Sequence, residues 1–271
     1  MLRRMLDSSS ILAPCPNRID IWFTWVSDVR HSSVLANYTH LLSTEEKDRY
    51  YRFHHIDDRL RFLATRALVR TSLSRYSPIE PKEWIFTSDI YGRPKISSSH
   101  PIERSISFNI SHTRELVALA ITTDRRIGID VEADTGQVAP LDIADYHFAP
   151  SEINELNALH IEERPHRFFE YWTLKEAYVK ARGIGLSIPL NQFSFELSSV
   201  RQIKLDIDAK LSDDPARWNF WLFQADEKHV LAICTSGLKT AQEISFRHVI
   251  PLLSERFMEA RLLRISASLV T

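Results

Sequence analysis

The 271-residue sequence predicts a mixed α/β (α+β) fold built as two similar halves. Three observations lead there. Short runs rich in β-branched and aromatic residues recur along the chain, the mark of strands. Two long segments with helical periodicity, 56–75 and 165–182, are each followed by such runs. Arg66-Ala-Leu-Val-Arg70, late in the first segment, is echoed by Glu176-Ala-Tyr-Val-Lys180, late in the second, which places a division near residue 125. Five residues match by chance too readily for the echo to stand alone.

In chain order, residues 19–26 (I-D-I-W-F-T-W-V) read as a first strand. Ser43, with Glu46 three residues on, has capping-box spacing and opens a helix. In 56–75, Leu60, Leu63, Ala67 and Leu68 recur at three-to-four spacing, with Arg59, Arg66 and Arg70 on other faces. Gly92 and Pro94 mark a turn over 89–95. Strands follow at 105–112, 116–122 and 126–132, and their short polar spacers predict antiparallel hairpins. Ser151 opens another helix. The segment 165–182 starts on Pro165 and stops before Gly183, the usual order of helix punctuation. Strands at 192–197, 219–224 and 229–234 come next, and a peripheral helix over 249–268 ends the chain. The resulting division is an N-terminal extension (1–18), halves at 19–125 and 126–248, and a helical tail (249–271).

Composition narrows the function. A formal net charge of −1 gives no global basic field, so nucleic acid is not an expected partner and any anion site must be local. Two cysteines without a C-x-x-C argue against a disulfide scaffold or structural zinc and for a reducing, cytoplasmic setting. No apolar run approaches the roughly 20 residues of a membrane helix. The first residues carry arginines and serines around an apolar stretch broken by Asp7, and read as a frayed extension rather than a targeting signal.

Two stretches carry the chemistry. In G-I-D-V-E at 128–132, alternation sends Gly128, Asp130 and Glu132 to one side of a strand. Their spacing, about 6.6 Å between alternate Cα atoms, lets both carboxylates reach one ion. The plain alternative is a half-exposed strand with a polar outer face. On the helix, Phe169, Trp172, Glu176 and Val179 form one stripe, with Lys180 one turn beyond Glu176. A surface Glu–Lys pair at that spacing is ordinary and contributes about 0.2–0.5 kcal/mol. A carboxylate on a stripe led by Phe169 and Trp172, however, faces the core and needs a partner. A metal shared with Asp130 and Glu132 would satisfy all three, and Mg²⁺ favours a few carboxylates plus substrate phosphate. Lys175 and Lys180 beside such a cation suit phosphate, so the pattern points to a magnesium-diphosphate substrate.

Several other residues are weaker candidates, each with an ordinary structural or surface reading. His112 ends a strand after Ser111, Arg93 follows Gly92 in a tight turn, and Arg49 and Arg61 flank a first-half helix. His54-His55 beside Asp57-Asp58 imitates a metal cluster, but neighbours on a helix do not share a face. The chain lacks G-x-S-x-G, Walker A and H-E-x-x-H, and G-I-G at 183–185 lacks the rest of a dinucleotide fingerprint.

These stretches resemble a known family. G-I-D-V-E followed by W-T-L-K-E-A-Y-V-K-A-R-G-I-G-L-S is similar to the paired motifs of Sfp-type 4′-phosphopantetheinyl transferases. F-N-I-S-H-T at 108–113, G-R-P at 92–94 and L-S-T-E-E-K-D-R-Y-Y-R-F at 41–53 are similar to further motifs in the same order. The resemblance spans roughly 20–235, and its W-x-x-K-E-A form is that of the Sfp-like group rather than the smaller trimeric synthases.

The resemblance implies a pseudo-twofold pair of α/β halves, the 4′-phosphopantetheinyl transferase fold, with coenzyme A between them. It implies transfer of the phosphopantetheine arm to a serine of an acyl or peptidyl carrier protein, releasing 3′,5′-ADP. Asp130, Glu132 and Glu176 would hold Mg²⁺, with Mn²⁺ as an alternative. Lys180 would meet phosphate and assist the leaving group, and Ser111, His112, Arg93, Lys175, Arg49 and Arg61 would contact the nucleotide or its phosphates. Either Glu176 or Glu152, the latter in F-A-P-S-E, would take the serine proton, directly or through water. Glu46 departs from the pattern, standing where some relatives carry a basic residue for the 3′-phosphate. A monomer suffices if both halves lie in one chain. A non-catalytic module that binds coenzyme A or a carrier, and a phosphotransferase using another nucleotide, are the competing readings.

Overall fold

The computed structural model describes residues 11–13, 15, 17–31, 33–97, 105–134, 139–185, 188–197, 201–237 and 242–269. The chain divides into two compact units, Met1–Asp124 with Gln242–Met258, and Arg125–Ala241 with Glu259–Thr271.

The first unit begins with β1 (Arg18–Trp25), then the short helices α1 (Val26–Arg30) and α2 (Leu35–Tyr38). Helix α3 (Thr44–Arg52) starts where its capping box predicts: Glu46 N–H donates to Ser43 Oγ, and Glu46 Oε2 accepts from Ser43 N–H. Helix α4 (Ile56–Leu73) is the long one. Its apolar stripe, Leu60, Leu63, Ala67 and Leu68, is buried in a core with Trp22, Val117, Leu119 and Ile121. The small ribbon of β2 (Phe86–Ser88) and β3 (Pro94–Ile96) precedes β4 (Ile106–His112) and β5 (Leu116–Thr123).

The second unit opens with β6 (Ile127–Ala133), followed by α5 (Leu141–His147), α6 (Pro150–Ala158) and the 19-residue α7 (Arg164–Arg182). Pro165 stands in the first turn of α7, and Gly183, at φ +73°, supplies the left-handed cap that ends it. Then come β7 (Phe193–Glu196), β8 (Gln202–Ile207), β9 (Trp218–Gln224) and β10 (His229–Ser236). Phe168, Tyr171, Leu174, Ala177 and Tyr178 of α7 are buried with Phe193, Phe220, Leu222 and Ala232.

The last stretch differs from its expectation. Residues 249–268 form strands, not a helix: β11 (Glu243–Ile250), β12 (Ser254–Met258) and β13 (Arg261–Ser266). Leucine, arginine and glutamate give this segment helical propensity, but propensity is a weak prior against a vacant sheet position. The first unit's sheet has the order β12-β11-β1-β5-β4 and the second's β6-β10-β9-β13-β8-β7. β11 lies parallel to β1, and β13 inserts between β9 and β8.

A second expectation also changes. β4 and β5 form the anticipated antiparallel hairpin, but β6 does not continue it. Both edges of β5 are taken, by β1 and β4, and every β5 residue is buried. β6 pairs instead with β10, Asp130 opposite Ala232. Each unit thus has the same internal order: a strand, small helices, a long helix, and two later antiparallel strands of which the second pairs back onto the first.

Candidate active site

The site rests on how closely α7 lies over β6. Gly128 lets it do so: a Cβ there would overlap the Ala177 carbonyl oxygen and the Ala181 amide nitrogen. Asp130 and Glu132 share the face of β6 that Gly128 presents. From α7, Lys180 Nζ comes within 2.6 Å of Asp130 Oδ1. The Trp172 side chain hydrogen-bonds to Glu132. Trp172 is itself held by stacking on Phe168, 5.9 Å between ring centres. Asp134 follows the end of β6, and its Oδ2 lies 2.5 Å from His166 Nδ1 in the first turns of α7.

Three carboxylates face one ammonium in this space, and their electrostatics show the imbalance. Burial pushes Glu132 up to about 7, Asp130 and Glu176 add to the shift, and Lys180 and the Trp172 hydrogen bond oppose it. Burial and then Asp130 raise Glu176, again against Lys180. The donor set consists of hard oxygen ligands, the kind a hard divalent cation takes. Among the described residues, no three acidic, histidine or cysteine side chains are spaced to hold a metal ion. Lys180 sets a positive charge against Asp130.

Lys175 and Glu152 correct an expectation. Both are buried, with Lys175 0% and Glu152 1% exposed, and they pair at 2.8 Å. Lys175 Nζ also donates to the Leu190 and Phe193 carbonyls. Glu152 accepts from the backbone N–H groups of Ala149 and Phe195. Burial holds Lys175 below and Glu152 above their usual ranges, each opposed by the other. This pair ties α6, α7 and β7 together, and neither group presents an atom to a ligand.

In the first unit, Gly92 takes φ +80° in the turn before Arg93. The Arg93 guanidinium then reaches the Phe108 carbonyl of β4 at 3.3 Å. Ser111 is buried and His112 exposed at the end of the same strand. Arg61 pairs with Asp58 at 2.6 Å, and exposed Arg49 stands over the Phe62 ring. Glu46 serves its own helix cap and pairs with Arg70 at 2.7 Å and Arg66 at 3.4 Å.

Sequence reasoning missed the Asp134–His166 pair, the Trp172 hydrogen bond and the Arg66 contact. The first had a signal: Asp134 continues the period-2 face of Asp130 and Glu132, and His166 lies ten residues, nearly three helical turns, before Glu176.

The profile of the 4′-phosphopantetheinyl transferase superfamily matches residues 126–234, and that of the 4′-phosphopantetheinyl transferase N-terminal region matches 28–124. A 4′-phosphopantetheinyl transferase of Bacillus subtilis is 31% identical over 195 residues, 72% of this chain and 82% of that protein. The transferase HetI of Nostoc is 33% identical over 205 residues, 76% of this chain and 83% of that one. The transferase Sfp of Bacillus subtilis strain 168 is 30% identical over 204 residues, 75% and 86% of the two chains. With both units matched in order and the G-I-D-V-E and W-T-L-K-E-A motifs lying on β6 and α7, the chain belongs to the 4′-phosphopantetheinyl transferase superfamily, enzymes that transfer phosphopantetheine to carrier proteins.

Proposed function

We propose that this enzyme moves the 4′-phosphopantetheine arm of coenzyme A onto a serine of an acyl or peptidyl carrier protein, with Mg²⁺ as its metal. The observation that carries the reading is the meeting of Asp130, Glu132, Glu176 and Lys180 on facing sides of β6 and α7. In the transfer, the serine Oγ forms a bond to the β-phosphorus, the bond to the departing 3′,5′-ADP breaks, and the serine proton leaves to a base.

Asp130, Glu132 and Glu176 would hold Mg²⁺ through carboxylate oxygens, or Mn²⁺ in its place. A bound divalent ion supplies Lewis acidity toward the diphosphate. The chain's own groups do the rest. Lys180, half-buried beside Asp130, brings a mobile positive charge to the phosphate oxygens where negative charge builds. Glu176, placed on α7 within the field of Asp130 and Lys180, takes the serine proton, directly or through water. The preference for Glu176 over Glu152 is supported by the burial of Glu152 and its pairing with Lys175. Arg93, Ser111 and His112 of the first unit contact the nucleotide. A single chain suffices, acting in the cytoplasm without nucleic acid or membrane. The net charge is −1, and among the described residues no helix is long and apolar enough to cross a membrane.

Intact-protein mass spectrometry tests the reading. An apo carrier protein incubated with the enzyme, coenzyme A and Mg²⁺ gains one phosphopantetheine, and EDTA abolishes the gain. No gain across fatty-acid, polyketide and nonribosomal-peptide carriers, with coenzyme A still bound, would replace the transferase with a binding module.

A further inference from the structure

The alternating carboxylates at the end of β6 each meet a donor from α7, and the donors differ in kind. Lys180 sets an ammonium against Asp130 at 2.6 Å. His166 sets an imidazole against Asp134 at 2.5 Å. Glu132, between the two, meets the Trp172 indole, whose single donor is Nε1–H. An ammonium on a carboxylate repels any cation which that carboxylate is to bind. A neutral indole does not. It takes one lone pair of Glu132 and leaves the remaining ones, with the full negative charge, for a ligand.

Trp172 is also firmly anchored. Its ring stacks on Phe168, 5.9 Å between centres with 14° between planes. Phe148 packs tilted against it at 6.5 Å, and His147 of α5 edge-on at 6.1 Å. Phe148 and Phe168 are both buried and stack on each other at 5.2 Å. The Lys180 ammonium, by contrast, ends a flexible four-carbon stem. Among the described residues no three acidic, histidine or cysteine side chains stand at metal-ligand spacing, so a cation must draw the carboxylates together. A glutamate that ligates a metal gives up side-chain freedom, and one already held by a fixed donor gives up less.

We propose that Trp172 is a positioning residue for metal binding: its indole N–H holds the Glu132 carboxylate in one orientation and keeps hold of it when a divalent cation binds. Glu132 is then the fixed ligand, toward which Asp130 and Glu176 close. Asp130 is the carboxylate that must first part from Lys180. The inference rests on the metal named in the proposed function. Trp172 touches no reacting atom in this role and acts only through Glu132.

Two measurements on the full chain test it. The first is NMR of the ¹⁵N-labelled protein, in which each of the six tryptophans gives one indole N–H signal. Trp172→Phe, which keeps an aromatic ring on Phe168, identifies the Trp172 signal by its loss. That signal should lie downfield, as a hydrogen-bonded indole does, and stay there at saturating Mg²⁺. In Glu132→Ala it should move to the free-indole position. A signal that Glu132→Ala leaves in place, or that Mg²⁺ returns to the free position, overturns the proposal. The second is Mn²⁺ binding followed by electron paramagnetic resonance, with and without coenzyme A. Trp172→Phe should bind Mn²⁺ about tenfold to a hundredfold more weakly, the usual effect of losing a partner of a metal ligand. Its transfer rate should return to near wild type at saturating Mn²⁺, with an unchanged melting temperature. Wild-type Mn²⁺ affinity in the variant, or a rate that excess Mn²⁺ does not restore, overturns the positioning role. If wild type itself binds no Mn²⁺ in either condition, the metal of the proposed function fails and the positioning role falls with it. The NMR result then still decides whether Trp172 holds Glu132.

Discussion

At the scale of the residue, neighbours one position apart on α7 lead opposite lives. Successive helical side chains point about 100° apart. Glu176 therefore faces β6 while Lys175 enters the core against Phe193, 4.4 Å from the ring centre. The W-T-L-K-E-A motif shows both as charges, and only the packing separates the one facing β6 from the one paired in the core. The consequence is measurable. Glu152→Ala leaves Lys175 buried without its carboxylate and should cost about 3–5 kcal/mol by urea unfolding. The double variant Glu152→Leu/Lys175→Met removes both charges at similar volume and should recover most of that loss with phosphopantetheine transfer retained. A stable double variant without transfer would restore Glu152 to the chemistry. Asp130→Ala and Lys180→Ala should do the reverse, abolishing carrier modification by mass spectrometry while thermal unfolding still shows a folded protein. These four residues, Asp130, Glu132, Glu176 and Lys180, were legible because strand alternation and helix period each place them on a definite face. Glu152 and Lys175 were not, because charge in a sequence does not reveal whether its partner is a ligand or another side chain.

At the scale of the element, what was legible is what carries local punctuation. α3 announces its start with Ser43 and Glu46, and α7 its bounds with Pro165 and Gly183. β6 and α7 are then locked by Gly128, whose Cβ would meet helix backbone. Gly128→Ala should push α7 off the strand, since the obstruction is backbone rather than a flexible side-chain end. The expected result is a destabilised protein whose surviving folded fraction is poor in transfer. A Gly128→Ala enzyme of full activity and unchanged melting temperature would refute the close-approach role. β11 and β12 carry no such punctuation, and their pairing depends on contacts distant in sequence. One such contact runs from His248, the cross-strand partner of Arg256, to Asp28 of α1. His248 Nε2 lies 2.7 Å from Asp28 Oδ2, and its Nδ1 accepts from Arg256. Burial and then the Arg256 charge hold the imidazole below 6.5, against Asp28. In the window between the folded value and 6.5 the unfolded chain binds more protons than the folded one. Stability is therefore complete above about pH 6.5, the free imidazole's value, and is lost as pH falls through the folded value. Arg256→Met should raise the His248 pKa in an NMR titration and shrink that acid-side loss. An unshifted titration would mean that Arg256 does not govern it.

At the scale of the whole chain, the sequence is threaded so that its last strands complete sheets begun far earlier. β11 lies against β1, more than two hundred residues upstream, with Tyr38 Oη donating to the Pro251 carbonyl nearby. β13 takes an interior position in the other sheet. It is antiparallel to β9 through Arg261–Ile265 and parallel to β8 at Ile265 and Ser266. Its side chains add further ties. Ser266 Oγ accepts from the Phe220 N–H at 2.7 Å, and Arg264 reaches Glu170 at 3.2 Å and the Leu197 carbonyl at 2.9 Å. Deleting residues 259–271 therefore opens a gap inside a six-stranded sheet rather than trimming an edge. β8 and β9 would each expose a row of backbone groups, and each buried group left unmatched costs about 1–3 kcal/mol. Several such losses approach the whole 5–15 kcal/mol by which a domain is stable. The truncated chain should accordingly accumulate as insoluble protein, and any soluble fraction should lack the second unit's cooperative melting and modify no carrier. A peripheral helix would behave otherwise. If the truncated protein remained soluble, melted within a few degrees of the full chain and still loaded the carrier, β13 would be dispensable. The sheet would then have to close without it, with β9 paired directly to β8.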